Sequence, residues 1–295
     1  MKTLVTGALQ ATSEELKQLE ELGLEITFHQ NERDEVENPE QFEAAICNGL
    51  FLYNDIEKFA DLKYIQLTSA GTDRVPMDYV REHGIVLKNA AGVYAAPMAE
   101  WTIMRLLELY KNADKLFANK GWLKDRTWRE LGGKTACIVG FGAYGREVAK
   151  RLKAFDVKVC VVNRSIKDSP YADEFYTMDK LNEMLAKADI VILAIALTAE
   201  TEHLMNAERF AAMKDGAVFI NATRGGLVDE AALIDALNNK LAGAALDVFE
   251  TEPLPDDSKL WQTQNLLISP HNSFVGENNH ARLMSVVMKN LEDRR

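Results

Sequence analysis

A chain of 295 residues with 47% apolar content can bury a substantial core, and its length suits two domains better than one or three. The net charge of -11 argues against a nucleic-acid partner, which needs a basic face, and against docking on anionic membranes. Cys47, Cys137 and Cys160 are too scattered for a disulfide framework, no metal is expected, and neither a signal peptide nor about 18 uninterrupted apolar residues is found, so the expectation is a soluble cytoplasmic protein.

Strand-like apolar runs alternate with amphipathic helix-like ones almost throughout, the rhythm of a parallel sheet covered by helices on both faces. In the first third, Thr3–Thr6, Leu24–Phe28, Ala45–Cys47, Tyr64–Leu67 and Gly84–Lys88 are candidate strands. Thr12–Leu22 reads as a helix opened by a capping box, Thr12 with Glu15 three residues on. Between Glu14 and Glu43 the only Lys or Arg residues are Lys17 and Arg33, which reads as a solvated acidic face rather than a binding tail. One long helical pattern then runs from Ala95 to about Asn119, suited to bridging two domains or to a dimer interface. After a polar, Trp-bearing loop at Gly121–Gly133, a second series supplies Lys134–Val139, Val157–Val162, Ile190–Ile195, Ala217–Asn221, Gly243–Val248 and Leu266–Ser269 as strands, with a helical tail at His280–Leu291. Two doubly wound α/β domains joined near Ala96 fit this order.

The segment Thr135–Gly145 reads TACIVGFGAYG: an apolar strand, then Gly140, Gly142 and Gly145, then a helix continuing REVAKRLKAF. Gly140 permits the tight turn, Gly142 lets the backbone approach a pyrophosphate, and Gly145 allows close helix–strand packing, while the helix N-terminus offers free N–H groups to the anion. Strand before and helix after are both in place, as this dinucleotide motif requires. About 20 residues on, where an acid usually holds the ribose hydroxyls, the chain has Asn163, Arg164 and Ser165. A carboxylate there would repel a 2′-phosphate, whereas Arg164 can grip it, so NADP is expected in preference to NAD.

Three later motifs place polar residues at strand ends, where open α/β sheets build their sites. INATRGGLVDE carries Arg224, AALDVFETEPLP carries Asp247, Glu250 and Glu252, and LLISPHNS carries His271. A guanidinium binds a carboxylate bidentately, and an imidazole exchanges protons near neutral pH. A neighbouring carboxylate favours imidazolium and fixes the ring. Arg, Glu and His thus form a set able to reduce a 2-keto acid. Taken singly, each has a plainer structural or surface role, and these residue types leave Glu250 and Glu252 as alternatives.

TSAGTDRV, PMAEWTIMRLL, the glycine-rich segment, LTAETEHLMNAERFAAMKDGAVFINATRGGLVDEAAL, LDVFETEPLP and SPHNS together resemble, from about Gln66 to His271, the D-isomer-specific 2-hydroxyacid dehydrogenase family. The resemblance implies a Rossmann-type cofactor domain, residues 96–275, inserted in a flavodoxin-like substrate domain, residues 1–95 completed by 276–295, and a homodimer built on the interdomain helix. It implies that Arg224 binds the substrate carboxylate, that Glu252 rather than Glu250 supports the acid–base His271, and that Asp247 holds the nicotinamide carboxamide. Ala70 and Gly71 would add backbone N–H groups to the substrate carboxylate. The cofactor set expected on this basis is Gly140, Gly142, Ala143, Tyr144, Gly145, Asn163, Arg164, Ser165, Ala196, Thr198, Ala222, Thr223 and Asp247. Ala196, Thr223 and Asn272 depart from the family's usual residues, and the KNLEDRR ending implies a short, weakly docked returning segment. The Asn163-Arg164 pair is shared with the family's glyoxylate and hydroxypyruvate reductases. That gives a small 2-keto acid as substrate, with Tyr94 and Trp101 as candidates for shaping its pocket, and an NAD-dependent D-lactate or phosphoglycerate-type dehydrogenase, or a low-turnover NAD(P)-sensing protein, as alternatives.

Overall fold

The computed structural model describes residues 1–122, 124, 126–165 and 168–294. The chain divides into two compact units, Met1–Tyr94 with Gly276–Arg295, and Ala95–Val275.

The first unit holds a parallel sheet of β1 (Lys2–Thr6), β2 (Glu25–His29), β3 (Ala44–Cys47), β4 (Tyr64–Leu67) and β5 (Val86–Lys88), in the order β2-β1-β3-β4-β5. The inner strands of such a sheet must be apolar on both faces. Leu4, Ala45, Cys47, Ile65 and Leu67 enter one buried cluster, while Val5, Ala44, Ile46 and Tyr64 enter the other, the period-two alternation of extended chain. Helix α1 (Ser13–Glu21) opens on a capping box: Glu15 N–H donates to the Thr12 hydroxyl at 3.2 Å, and Thr12 N–H donates to the Glu15 carboxylate at 2.8 Å. Helix α2 (Met77–Glu82) precedes β5.

The C-terminal helix in this unit, numbered α9 below (Asn279–Glu292), buries Leu283, Met284, Val287 and Leu291 in the same cluster as Leu19 of α1. Asn290 donates to the Gln66 side-chain oxygen at 2.9 Å, and Arg282 Nε donates to the Val93 carbonyl at 2.8 Å. The expected weak docking is therefore corrected: four apolar side chains one or two turns apart, with polar bonds along the flank, seat the returning segment firmly.

The second unit begins with α3 (Ala95–Lys111) and α4 (Ala113–Ala118). The single helix expected to about Asn119 is broken at Asn112, which takes φ 49°, a left-handed conformation that Asn tolerates better than most residues and that a continuous helix excludes. There follow β6 (Thr135–Val139), α5 (Ala143–Lys153), β7 (Lys158–Val162), β8 (Glu174–Tyr176), α6 (Leu181–Leu185), β9 (Ile190–Leu193), α7 (Ala207–Ala212), β10 (Val218–Asn221), α8 (Glu230–Asn239), β11 (Gly243–Leu246) and β12 (Leu266–Ile268). The seven strands are parallel in the order β12-β11-β10-β9-β6-β7-β8. Strand β8 has only three half-buried residues, too short for a readable alternation. Along β6 and β9, Cys137, Val139, Val191 and Leu193 face one cluster and Ala136, Ile138, Ile190 and Ile192 the other. No described helix is long and apolar enough to cross a membrane.

Candidate active site

In the second unit the strand order reverses between β6 and β9, and the crevice at such a switch point is where open parallel sheets bind ligands. Gly140 follows β6 with φ 99°, and a Cβ there would lie 2.3 Å from the Ala194 carbonyl oxygen. A Cβ on Gly145 would lie 2.5 Å from the Gly140 carbonyl oxygen, so α5 packs against the turn more closely than any side chain allows. Gly142 caps α5, and a Cβ on it would meet nothing within 4 Å. The first-turn N–H groups of α5 have no intrahelical acceptor. An open approach beside those donors fits a dinucleotide pyrophosphate.

The Tyr144 side chain turns away into the core, its hydroxyl 2.7 Å from that of Thr102, and burial pushes its phenol well above the ordinary range. As a cofactor contact, Tyr144 is therefore restricted to its backbone. At the end of β7, Asn163 N–H donates to the Tyr176 carbonyl at 2.9 Å and its amide to the Ser165 carbonyl at 3.0 Å. Arg164 and Ser165 are exposed, and Arg164 forms no ion pair among the described residues. After β9, the Thr201 hydroxyl donates to the Ala196 carbonyl at 2.8 Å and accepts the Thr198 N–H at 2.7 Å.

Beyond β10, Ala222 is buried, and Asn221 organises the next turn. Its side-chain oxygen accepts the Thr223 N–H at 3.1 Å and hydroxyl at 2.9 Å, and its amide donates to the Arg224 carbonyl at 2.8 Å. Arg224 Nη1 donates to the Thr223 carbonyl at 2.7 Å. Asp247, after β11, is wholly buried. Its carboxylate accepts the Ser269 hydroxyl at 2.5 Å, Asn272 N–H at 3.0 Å and Ser273 N–H at 2.8 Å, all from the segment after β12, and its carbonyl accepts His271 N–H at 2.7 Å.

His271 is thus held at φ 49°, in a region that costs a non-glycine residue on the order of 1 kcal/mol and that this network over-determines. Its Nδ1 lies 2.6 Å from Glu252 Oε2, while Glu252 Oε1 accepts the Phe249 N–H at 3.0 Å. Nε2 is the ring nitrogen left for a ligand. Glu250 lies elsewhere, with Oε1 3.2 Å from the Glu230 N–H and 3.3 Å from His203 Nε2. The structure thus places Glu252, not Glu250, on the imidazole.

In the first unit, the loop after β4 carries Ala70 and Gly71, whose carbonyls accept the Asn89 amide at 2.7 Å and the Ser69 hydroxyl at 2.9 Å. Tyr94 donates to the Thr68 carbonyl at 2.5 Å. Trp101, in α3 of the second unit, is buried. Sequence reasoning missed Ser269, which ties Asp247 to the His271 segment, and Gly225, where a Cβ would lie 1.9 Å from the Phe249 carbonyl group. The glycine directly after Arg224 was the available signal for a close backbone approach, but its partner is 24 residues downstream.

A family model described as D-isomer specific 2-hydroxyacid dehydrogenase, NAD binding domain, matches residues 101–273. The chain is 35% identical over 250 residues to a glyoxylate reductase of Thermofilum pendens, covering 78% of this chain and 71% of that protein. It is 32% identical over 261 residues to a hydroxypyruvate reductase of Thermotoga maritima, covering 84% and 83%. Among solved structures, a glyoxylate reductase from Paecilomyes thermophila superposes with a TM-score of 0.86 at 26% identity, over 99% of this chain and 94% of that one.

Proposed function

The chain belongs to the D-isomer specific 2-hydroxyacid dehydrogenase family, and from that premise we propose that it reduces a small 2-keto acid of the glyoxylate or hydroxypyruvate kind to the D-2-hydroxy acid with NADPH. The observation that carries this reading is the 2.6 Å His271–Glu252 pair. It stands at strand ends of the same sheet that carries the Gly140–Gly145 crevice. When bound, the nicotinamide supplies the hydride. Glu252 holds Nδ1, so His271 presents Nε2 and donates its proton to the carbonyl oxygen of the substrate. Arg224 grips the substrate carboxylate and polarises the neighbouring carbonyl. Ala70 and Gly71 are the amides that the family resemblance assigns to the same carboxylate. Asp247 sets the His271 backbone through its carboxylate and carbonyl, and the family resemblance assigns it to the nicotinamide carboxamide.

For the cofactor, Arg164 and Ser165 bind the 2′-phosphate, supported by their exposure and by the lack of a carboxylate at residues 163–165. The backbone of Gly142–Gly145 takes the pyrophosphate, and Ala196, Thr198, Ala222 and Thr223 line the remainder. A homodimer is part of the same reading, supported by Phe117 and Trp122, which are 79% and 92% exposed; sedimentation velocity reads its mass directly.

The test is a steady-state scan of purified protein with glyoxylate, hydroxypyruvate, pyruvate and a branched 2-keto acid, each with NADPH and with NADH. Turnover favouring NADPH is expected, and Arg164→Ala should reduce that preference roughly tenfold, the loss of one charge-assisted contact. Preference for NADH in the unaltered protein would overturn the assignment of Arg164. No turnover with either cofactor would overturn the reductase reading.

A further inference from the structure

Two glutamates outside the proposed reaction meet beside the Arg224 turn. Glu230, the first residue of α8, has its N–H 3.2 Å from Glu250 Oε1, and Glu250 N–H donates to Glu230 Oε1 at 2.9 Å. Each carboxylate thus accepts the other's backbone amide. Like charges side by side are costly, so surface solvation alone gives no reason for the arrangement. Burial raises the Glu230 carboxyl above its ordinary range, with the Glu250 N–H lowering it and the Glu250 charge raising it.

The surroundings give the pair a purpose. His203 Nε2 lies 3.3 Å from Glu250 Oε1, and the His203 N–H donates to the Gly226 carbonyl at 2.8 Å. Met205 N–H donates to the Leu227 carbonyl at 2.9 Å, and Asp229 N–H to the Met205 carbonyl at 3.0 Å. Residues 226–229 are therefore gripped by the 203–205 segment on one side. On the other, Gly225 abuts the backbone of Phe249, whose N–H is bound by Glu252. Nothing else described joins α8 by hydrogen bonds to the loop that carries Glu252.

We propose that Glu230 and Glu250 form a reciprocal clasp that positions the Arg224 turn against the Glu252–His271 loop, fixing the substrate anchor relative to the proton donor. Both are positioning residues: they act through Arg224 and Glu252 and touch no reacting atom. The clasp rests on the function proposed above for those two residues. Loosening it lets the Arg224 turn drift, which weakens capture of the keto acid while the Gly140–Gly145 crevice, built by other strands, keeps its affinity for nucleotide.

The experiment compares Glu250→Ala and Glu250→Gln with the unaltered full chain. The glutamine retains an acceptor oxygen for the Glu230 N–H. Glu250→Ala should raise the KM for the keto acid roughly tenfold, with a smaller change in kcat, and Glu250→Gln should stay within about threefold, as expected for one partly exposed bond to a charged group. NADPH affinity, read by fluorescence, should hold in both. Amide hydrogen exchange across residues 224–229 should quicken in the alanine variant alone. An alanine variant with unchanged KM and unchanged exchange overturns the clasp. So does one in which KM, kcat, NADPH affinity and Tm all deteriorate together, since that is general loosening. Absence of turnover in the unaltered chain sinks the functional reading instead, and the exchange measurement still decides whether the clasp exists.

Discussion

Glu252→Gln is the substitution whose consequence can be worked furthest from the geometry. Glu252 Oε1 accepts the Phe249 N–H at 3.0 Å while Oε2 lies 2.6 Å from His271 Nδ1. An amide has one acceptor end and one donor end, so it cannot serve both. With its oxygen on Phe249, its NH2 points at Nδ1 and forbids a proton there, excluding the imidazolium that donates in reduction. With the amide reversed, two donors face each other at Phe249. The lost bond to a charged group is worth roughly 1.5 kcal/mol at the low end, appropriate for a side chain 35% exposed. An unsatisfied donor adds roughly 1 kcal/mol. Together these come to about 2.5 kcal/mol, roughly a 70-fold fall in kcat for reduction. The assay is single-turnover oxidation of NADPH at saturating keto acid, with NADPH affinity measured alongside. A variant that binds NADPH normally and keeps kcat within about threefold of the original refutes the assignment of Glu252 to the imidazole.

The glycines of the crevice separate fold from binding. Gly142→Ala should leave Tm unchanged, since its Cβ meets no protein atom within 4 Å, yet weaken nucleotide binding at least roughly tenfold by titration. Gly145→Ala, 2.5 Å from a backbone oxygen, should instead lower stability by about 1–3 kcal/mol in urea unfolding. Leu291→Ala removes a fully buried side chain of α9 and should cost roughly 2–5 kcal/mol by the same measurement, with nucleotide affinity intact. Asp173 accepts Lys153 at 2.8 Å and the Val159 N–H at 2.7 Å; the Lys153 bond leads in holding its carboxyl below the ordinary value, with the Val159 bond assisting against burial. A carboxyl depressed in the folded state stabilises above its unfolded pKa of about 3.9, and that contribution disappears as pH falls through the lower folded value. Asp173→Asn should therefore lower Tm at neutral pH and flatten its fall below about pH 4, and a parallel offset at every pH would contradict this.

The sequence by itself determined whatever depends on neighbours along the chain. The apolar runs of β1, β4 and β6, the capping box of Thr12 and Glu15, and the glycine spacing of Gly140–Gly145 are local, because side-chain alternation, first-turn capping and a strand-to-helix turn need no distant partner. The order of the candidate-site motifs was legible for a similar reason: each follows its own strand. Where local signal was weak the reading failed. Asn112 breaks a helix whose apolar pattern runs on unbroken, and the three half-buried residues of β8 carry too short a pattern to read. Residue types alone left two glutamates, two residues apart, as partners for His271; the family resemblance pointed to Glu252, and the contact itself is made by the way the segments after β11 and β12 are brought together. Only the tertiary structure turned the Tyr144 side chain into the core and set Gly225 against Phe249. Sequence spacing carries the chemistry available to a site, while the contacts that aim it are made between residues tens of positions apart, where only packing specifies the partner.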